Sequence, residues 1–206
     1  MMLPTHALVG MALSLPIAVL FPELAPAALL GGLVGGILPD LDMYSGHRRT
    51  LHFPTLYPIA AAGTAVLALF SPTSITVGAA FVLLGAAVHC RMDVYGGGLE
   101  LRPWEGTSEK AVYDHVNGEW LAPRRLIAYD GSKGDLAIAG AAALPLFLFV
   151  EGPFVVLVAA ALAVGGTYVL FRRWLADLAP TIFGRVPDPL AEYVPDRYRA
   201  PPSERL

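Results

Sequence analysis

The sorting of basic residues constrains this chain more than any other feature. Six apolar stretches, residues 3–21, 24–38, 53–70, 73–88, 136–150 and 153–171, alternate with more polar connections. Paired as three hairpins, they leave tight turns at 22–26, 71–72 and 151–152, none of which holds a Lys or Arg. All 14 basic residues fall on the other side, at Arg48 and Arg49, in the 91–133 segment and from Arg172 onward. A soluble bundle has no physical reason to sort its cations in this way. A bilayer does, because Lys and Arg are retained on the cytoplasmic face of membrane helices.

Composition agrees. With 21 Gly added to a 55% hydrophobic share, roughly 65% of the chain is apolar, against ~45–50% in an ordinary soluble domain. Charged residues make up 15%, where about 25% is usual. The competing reading, a soluble helical protein with a greasy core, would lack the polar surface to cover itself. The expectation is therefore an all-α, multi-span helical membrane protein of about four to six short helices, with both termini and a polar insert on the cytoplasmic side of the inner membrane. Several stretches fall short of the ~20 residues that cross a bilayer, so the second, fourth and fifth are weak as independent spans. Extending the fourth to Asp93 brings it near full length. The small-residue runs, GGLVGG above all, suit close helix contact in lipid.

Four regions follow. Residues 1–95 form a helical membrane region, 96–135 a polar insert at headgroup level, 136–186 a helical hairpin running into an amphipathic interfacial helix, and 187–206 a loosely ordered tail rich in Pro and charge. A signal-peptide reading of residues 1–27 rests on Ala25-Pro26-Ala27, but no Lys or Arg precedes the apolar run and Pro16 interrupts it. The net charge of −3 gives no reason to expect a nucleic-acid partner, and membrane lipid is the expected neighbour. Oligomeric state has no signature in the sequence.

The chemistry gathers where apolar stretches end. His6 opens the first helix; Asp40, Asp42, His47 and His52 lie in GGILPDLDMYSGHRRTLH, between the second and third; His89 and Asp93 close the fourth. The hairpin pairing puts all of these ends at one level, so groups far apart in sequence can meet. Imidazole with carboxylate is the donor set of zinc and related divalent ions. His89 and Asp93, four apart on a helix, project from one face. Pro39 ends the second helix and leaves Asp40 and Asp42 on irregular backbone. Arg48 is placed to hold an anion or a developing negative charge. Each group alone has a plainer reading: a helix start for His6, a cap or turn for the aspartates, a solvated cluster for His47 and Arg48, an intrahelical hydrogen bond for His89 with Asp93. Ionisable groups beside hydrocarbon are costly without partners, which favours a shared site. Cys90 is read as packing, His115 as structural or solvent-exposed, and Asp130 as a turn residue near a helix start at Ser132 or Asp135.

Thr5-His6, the G-x-L-P-D-x-D of Gly36 to Asp42, the H-R-x-x-x-H of His47 to His52 and the H-x-x-x-D of His89 to Asp93 together resemble the YdjM-like family, over about residues 1–95. Members are described as membrane-bound, metal-dependent hydrolases, with a distant similarity to zinc-dependent phospholipase C and P1-type nucleases. The family places Thr before and Ser after the second loop histidine, where this chain has Leu51 and Phe53. The resemblance implies a metal-dependent hydrolase with one to three divalent ions, zinc first; a phosphoester is the expected substrate, and the position at the membrane surface makes a lipid phosphate the natural one. Asp42 and Arg48 are then the catalytic candidates, and His6, Asp40, Asp42, His47, His52, His89 and Asp93 the metal candidates. A metal transporter and a structural or regulatory membrane protein with a stabilising metal are the other classes.

Overall fold

The computed structural model describes residues 1–191 and 193–198. Every apolar stretch is helical. The first divides into α1 (Leu3–Leu13) and α2 (Leu15–Leu20). The break sits at Ser14, whose hydroxyl donates back to the Met11 carbonyl at 2.7 Å. Pro16 follows in the first turn of α2, where a missing N–H leaves no helical bond unmade. α3 (Ala25–Ile37) is lengthened at both ends by 3-10 turns, Pro22–Leu24 and Leu38–Tyr44. α4 (Leu56–Phe70) and α5 (Ser74–Tyr95) form the second hairpin, with a capping box between Thr73 and Thr76 starting α5. α6 (Lys133–Phe149) and α7 (Pro153–Phe183) form the third, and a single turn, α8 (Asp188–Ala191), follows.

Three segments are long and apolar enough to cross a membrane: Pro22–Tyr44, Ser74–Tyr95 and Pro153–Phe183. This departs from the expectation in two places. The second and fourth stretches reach full length because 3-10 turns extend one and the His89-to-Tyr95 turns extend the other. The first and third fall short, as α1 and α4, and the fifth stays short as expected, with α6 at 17 residues. The interfacial run after residue 171 is likewise no separate helix. It continues α7, which at 31 residues is roughly 46 Å long against a hydrocarbon core of ~30 Å. Only 11% of the most apolar window of α7 is buried, and Leu69, Phe70, Ile75, Val156 and Leu170 are exposed. Large apolar side chains turned outward along these helices are what lipid requires.

In lipid the hydrophobic effect does not draw helices together, so close packing must. α3 lies between α1 and α5, and its glycines permit the contact. A Cβ on Gly32 would strike the Gly10 carbonyl of α1, one on Gly35 the Val82 carbonyl of α5, and one on Gly36 the His6 carbonyl. A second core, around Leu8, Met11, Leu29, Leu146 and Val158, ties α1 and α3 to α6 and α7. At its end Asp135 accepts from Met2 N at 2.8 Å and from Thr5 Oγ1 at 2.7 Å, joining α1 to the start of α6.

Residues 96–132 cover the end of α5. Arg124 N, Arg125 N and Ile127 N donate to the carbonyls of Val94, Gly96 and Tyr95. Within the insert, β1 (Val112–Asp114) and β2 (Glu119–Leu121) form an antiparallel pair, with Tyr113 opposite Trp120. This is the one sheet among the described residues. In the described part of the tail, a 3-10 turn at Asp196–Tyr198 sets the Tyr198 ring 5.3 Å from the Phe183 ring. Residues 192 and 199–206 of the expected tail lie outside the described residues.

Candidate metal centre

Four elements deliver the site. α1 brings His6, the 3-10 turn after α3 brings Asp40 and Asp42, the following loop brings His47, Arg48 and His52, and the last turns of α5 bring His89 and Asp93. The His6 and His89 rings stack at 3.7 Å, and the His52 ring stands 5.2 Å from His89. Groups up to 87 positions apart in sequence therefore share one buried pocket.

Asp40, His52, His89 and Asp93 form the inner group: one donor atom from each lies within 4.8 Å of all the others. His52 Nε2 is 3.4 Å from Asp93 Oδ2 and 3.9 Å from Asp40 Oδ1. His89 Nε2 is 3.5 Å from each of the same two oxygens. Neither Nε2 makes a hydrogen bond, although both are fully buried. Metal–ligand bonds of ~2.0–2.1 Å in tetrahedral geometry set donor atoms ~3.3–3.4 Å apart. These spacings are too long for hydrogen bonds and close to those around a shared cation, so the residues fit a divalent ion.

The other ring nitrogens are engaged, which settles the tautomers. A carboxylate or carbonyl oxygen only accepts, so each Nδ1 that meets one is the donor. His52 Nδ1 donates to Asp42 Oδ2 at 2.9 Å, and His89 Nδ1 to the Gly36 carbonyl at 2.7 Å. Both Nε2 atoms, the ring positions left for a metal, then face the two carboxylates. Such outer partners orient a metal-binding imidazole and raise its basicity.

Asp42 stands behind this group. Its oxygens accept from His52, from His47 Nδ1 at 3.2 Å and from the backbone N–H groups of Arg48, Arg49 and Leu51. One buried carboxylate thus organises the whole 47–52 loop. His6 is adjacent to the inner group as well: its Nε2 donates to Asp93 Oδ1 at 3.1 Å, and its Nδ1 is buried without a partner. His47 is partly exposed beside Asp42 and Asp40, at 3.8 Å from the latter. Burial lowers its pKa, and the neighbouring Arg48 and Arg197 charges add to that. His52 moves the other way: burial opposes its charge, but the hydrogen bond to Asp42 and the adjacent Asp93 carboxylate outweigh it and raise the pKa.

Asp93 is the most heavily compensated group. The Met1 amino group donates to it at 2.7 Å, and Arg48 pairs with it through Nε and Nη2, both at 3.3 Å, while Arg48 Nη1 holds the Gly97 carbonyl. Arg48 has a φ of +60°, a strained setting for a residue with a Cβ. It is held there by its N–H on Asp42 and by Tyr113 N on its carbonyl. The β1–β2 hairpin braces the same loop, since His115 Nε2 donates to the Arg49 carbonyl at 2.6 Å and its ring lies 4.7 Å from Phe53. His115 is thus a structural group, and Cys90 packs in a small core with Val94 and Val112.

Several supporting residues had no distinct signal in the sequence. Gly36, Gly97 and Met1 act through backbone atoms, and Asp135 and Arg172 act through partners 130 and 42 positions away. The hairpin did have one: Asn117-Gly118 between VYD and EWL is a turn dipeptide.

The inner group opens on one side. Asp40 is its one partly exposed member, and it borders a cavity of about 610 Å³ together with His47 and Arg48. Compared with known proteins, the chain matches no family model, no curated protein and no solved structure.

Proposed function

We propose that this chain is a membrane-bound, metal-dependent hydrolase acting on a phosphoester, with zinc as the ion and the site at the cytoplasmic face. The observation that carries this reading is the pair of pinned imidazoles. His52 and His89 aim unpaired, buried Nε2 atoms at Asp40 and Asp93 from 3.4–3.9 Å. A divalent ion there supplies a Lewis acid and a water of lowered pKa.

The remaining work falls to the chain. Arg48, anchored on Asp93 and Gly97, presents positive charge at the cavity wall, where it holds a phosphoryl oxygen and steadies charge that builds during displacement. His47 borders the same cavity, held neutral by burial. With Nδ1 donating to Asp42, its other nitrogen carries the lone pair and accepts a proton from the attacking water. Asp42 fixes both rings and the loop between them. The open Asp40 side supports turnover, since a purely structural site closes all its positions. The orientation follows from the basic residues gathered at this end of the helices.

Detergent-purified protein is expected to hold about one zinc per chain at the inner group and to hydrolyse p-nitrophenyl phosphate or its diester. His89→Ala should lose both metal and activity, whereas His47→Ala should keep the metal and lose most of the rate. Metal-free wild-type protein with full activity would end this reading. Metal held normally, with no hydrolysis by any preparation, would favour a stabilising ion.

A further inference from the structure

The cavity beside the inner group is far larger than an ion and its water require, and its walls differ in kind. One wall is the metal-site loop, with Asp40, His47 and Arg48; the opposite wall is α7. Residues 168, 172, 175, 176, 179, 182 and 183 of that helix line it, a spacing that makes one continuous face. Near the middle of this face sit Ala176 and Ala179, both buried, and around them stand Leu175, Ile182 and Phe183. Two small residues between large ones make a trough. It runs from Val164 to Phe183, roughly 28 Å along the helix axis. Leu175 and Ile182 are also exposed, so the trough borders the lipid-facing surface of α7.

Charge gathers at the tail side of the same cavity. Arg197, on the 3-10 turn of the tail, lines it, stands close enough to His47 to depress that group's pKa, and has a buried Nε with no hydrogen-bond partner. With Arg48 it places two cations at the cavity beside the metal-site loop; the lining also holds Arg172, which is paired with Asp130, and the carboxylates of Asp40 and Glu100. A volume of 610 Å³ lies within the ~300–1,000 Å³ of small-molecule sites.

The geometry points to a phosphorylated amphiphile as the occupant: its phosphate lies between Arg48 and Arg197 next to Asp40, and its hydrocarbon chain lies in the α7 trough over Ala176 and Ala179. This deepens the hydrolase reading and rests on it for the fate of the phosphate. The binding claim itself concerns the cavity. Phosphate alone gives the unpartnered Arg197 Nε an acceptor and adds to the Asp93 pairing of Arg48 but leaves the trough without contacts, while an uncharged chain fills the trough and leaves Arg197 Nε unmet. A ligand with both parts answers both walls.

Equilibrium dialysis in maltoside micelles, with labelled monododecyl phosphate and labelled inorganic phosphate as probes, tests this on the full chain with and without metal. The expected result is that dodecyl phosphate binds at least tenfold more tightly than inorganic phosphate. Ala179→Phe, which fills the trough, should remove that advantage and leave metal content and inorganic phosphate binding unchanged. Ile182→Ser, an exposed and well-tolerated site, should reduce the advantage several-fold even if the larger substitution misfolds. Arg197→Ala should weaken both probes alike. Equal affinity for the two probes would overturn the proposal and leave free phosphate or a water-soluble ester as the ligand. An advantage unaltered in both trough variants would overturn it too. Hydrolysis measured beside binding separates the two readings: a chain preference with no hydrolysis by any metal-loaded preparation upholds the cavity while removing the hydrolase, and metal-dependent hydrolysis of p-nitrophenyl phosphate with no preference for the chain does the reverse.

Discussion

The two sides of this molecule meet the same cavity with opposite kinds of construction. On the α1–α3–α5 side, helices touch backbone to backbone through Gly32, Gly35 and Gly36, and His, Asp and Arg side chains are buried with the Nδ1 atoms of His52 and His89 pinned and their Nε2 atoms left without a hydrogen bond. On the α7 side, a long helix is mostly uncovered, and its inward face beyond Tyr168 and Arg172 is alanine, aliphatic and Phe183. The first gathers four donor atoms within 4.8 Å of one another, which a cation demands. The second offers volume and surface without fixed partners, which suits a flexible chain.

The contrast can be tested by substitution. The largest effect is expected at Asp42, where Asn would turn an amide N–H₂ toward donors now accepted by a carboxylate. Asp42→Asn should weaken metal affinity by ~10–100-fold and loosen the 47–52 loop, read as faster amide exchange at Arg48 to Leu51. Next is the glycine contact. Gly36→Ala puts a Cβ against the His6 carbonyl and should cost about 1–3 kcal/mol of stability while lowering zinc occupancy. Its counterpart on α7, Gly166→Ala, meets nothing within 4 Å and should change stability by no more than ~0.5–1 kcal/mol, in the stabilising direction. Equal outcomes at the two glycines would erase the distinction between the two sides.

A smaller effect concerns the tie between insert and α7. Arg172 pairs with Asp130 at 3.0 Å, and Tyr168 donates to the same carboxylate. Burial works against the Asp130 charge, but Arg172 outweighs it and holds its pKa below the usual value. With the folded pKa depressed, this contribution is complete above the unfolded value of about 3.9 and is lost only as pH falls through the folded one. Thermal unfolding should therefore show no Asp130-dependent change between pH 7 and 5, and Asp130→Asn should lower stability by ~1–2 kcal/mol across that range. A loss that began near pH 6 would mean the pair is not formed.

How much of this was legible beforehand differs along the chain. Helices and the convergence of His6, Asp40, His52, His89 and Asp93 follow from two patterns a linear sequence carries well: long apolar runs, and ionisable groups at their ends. The span length was misjudged at 24–38, and at 73–88 it was reached only by extending the stretch to Asp93, because a hydropathy boundary falls where polarity rises and not where the backbone stops turning. Leu38–Tyr44 and the last turns of α5 are polar and still helical. The division of labour between Asp40 and Asp42 was not legible either. Two carboxylates in one D-x-D differ only in which donors the folded loop brings to each. The clasp of Asp135 on Thr5 and the trough on α7 are contacts between distant segments with no local trace.

The hydrogen bond from His89 to the Gly36 carbonyl has a mechanical consequence. Its acceptor is main chain on a neighbouring helix, so substitution cannot delete it but only shift it. The imidazole is thereby geared to the spacing and sliding of α3 against α5. Lateral pressure or bilayer thickness, the forces that move such helices, would be transmitted to the ring as a rotation.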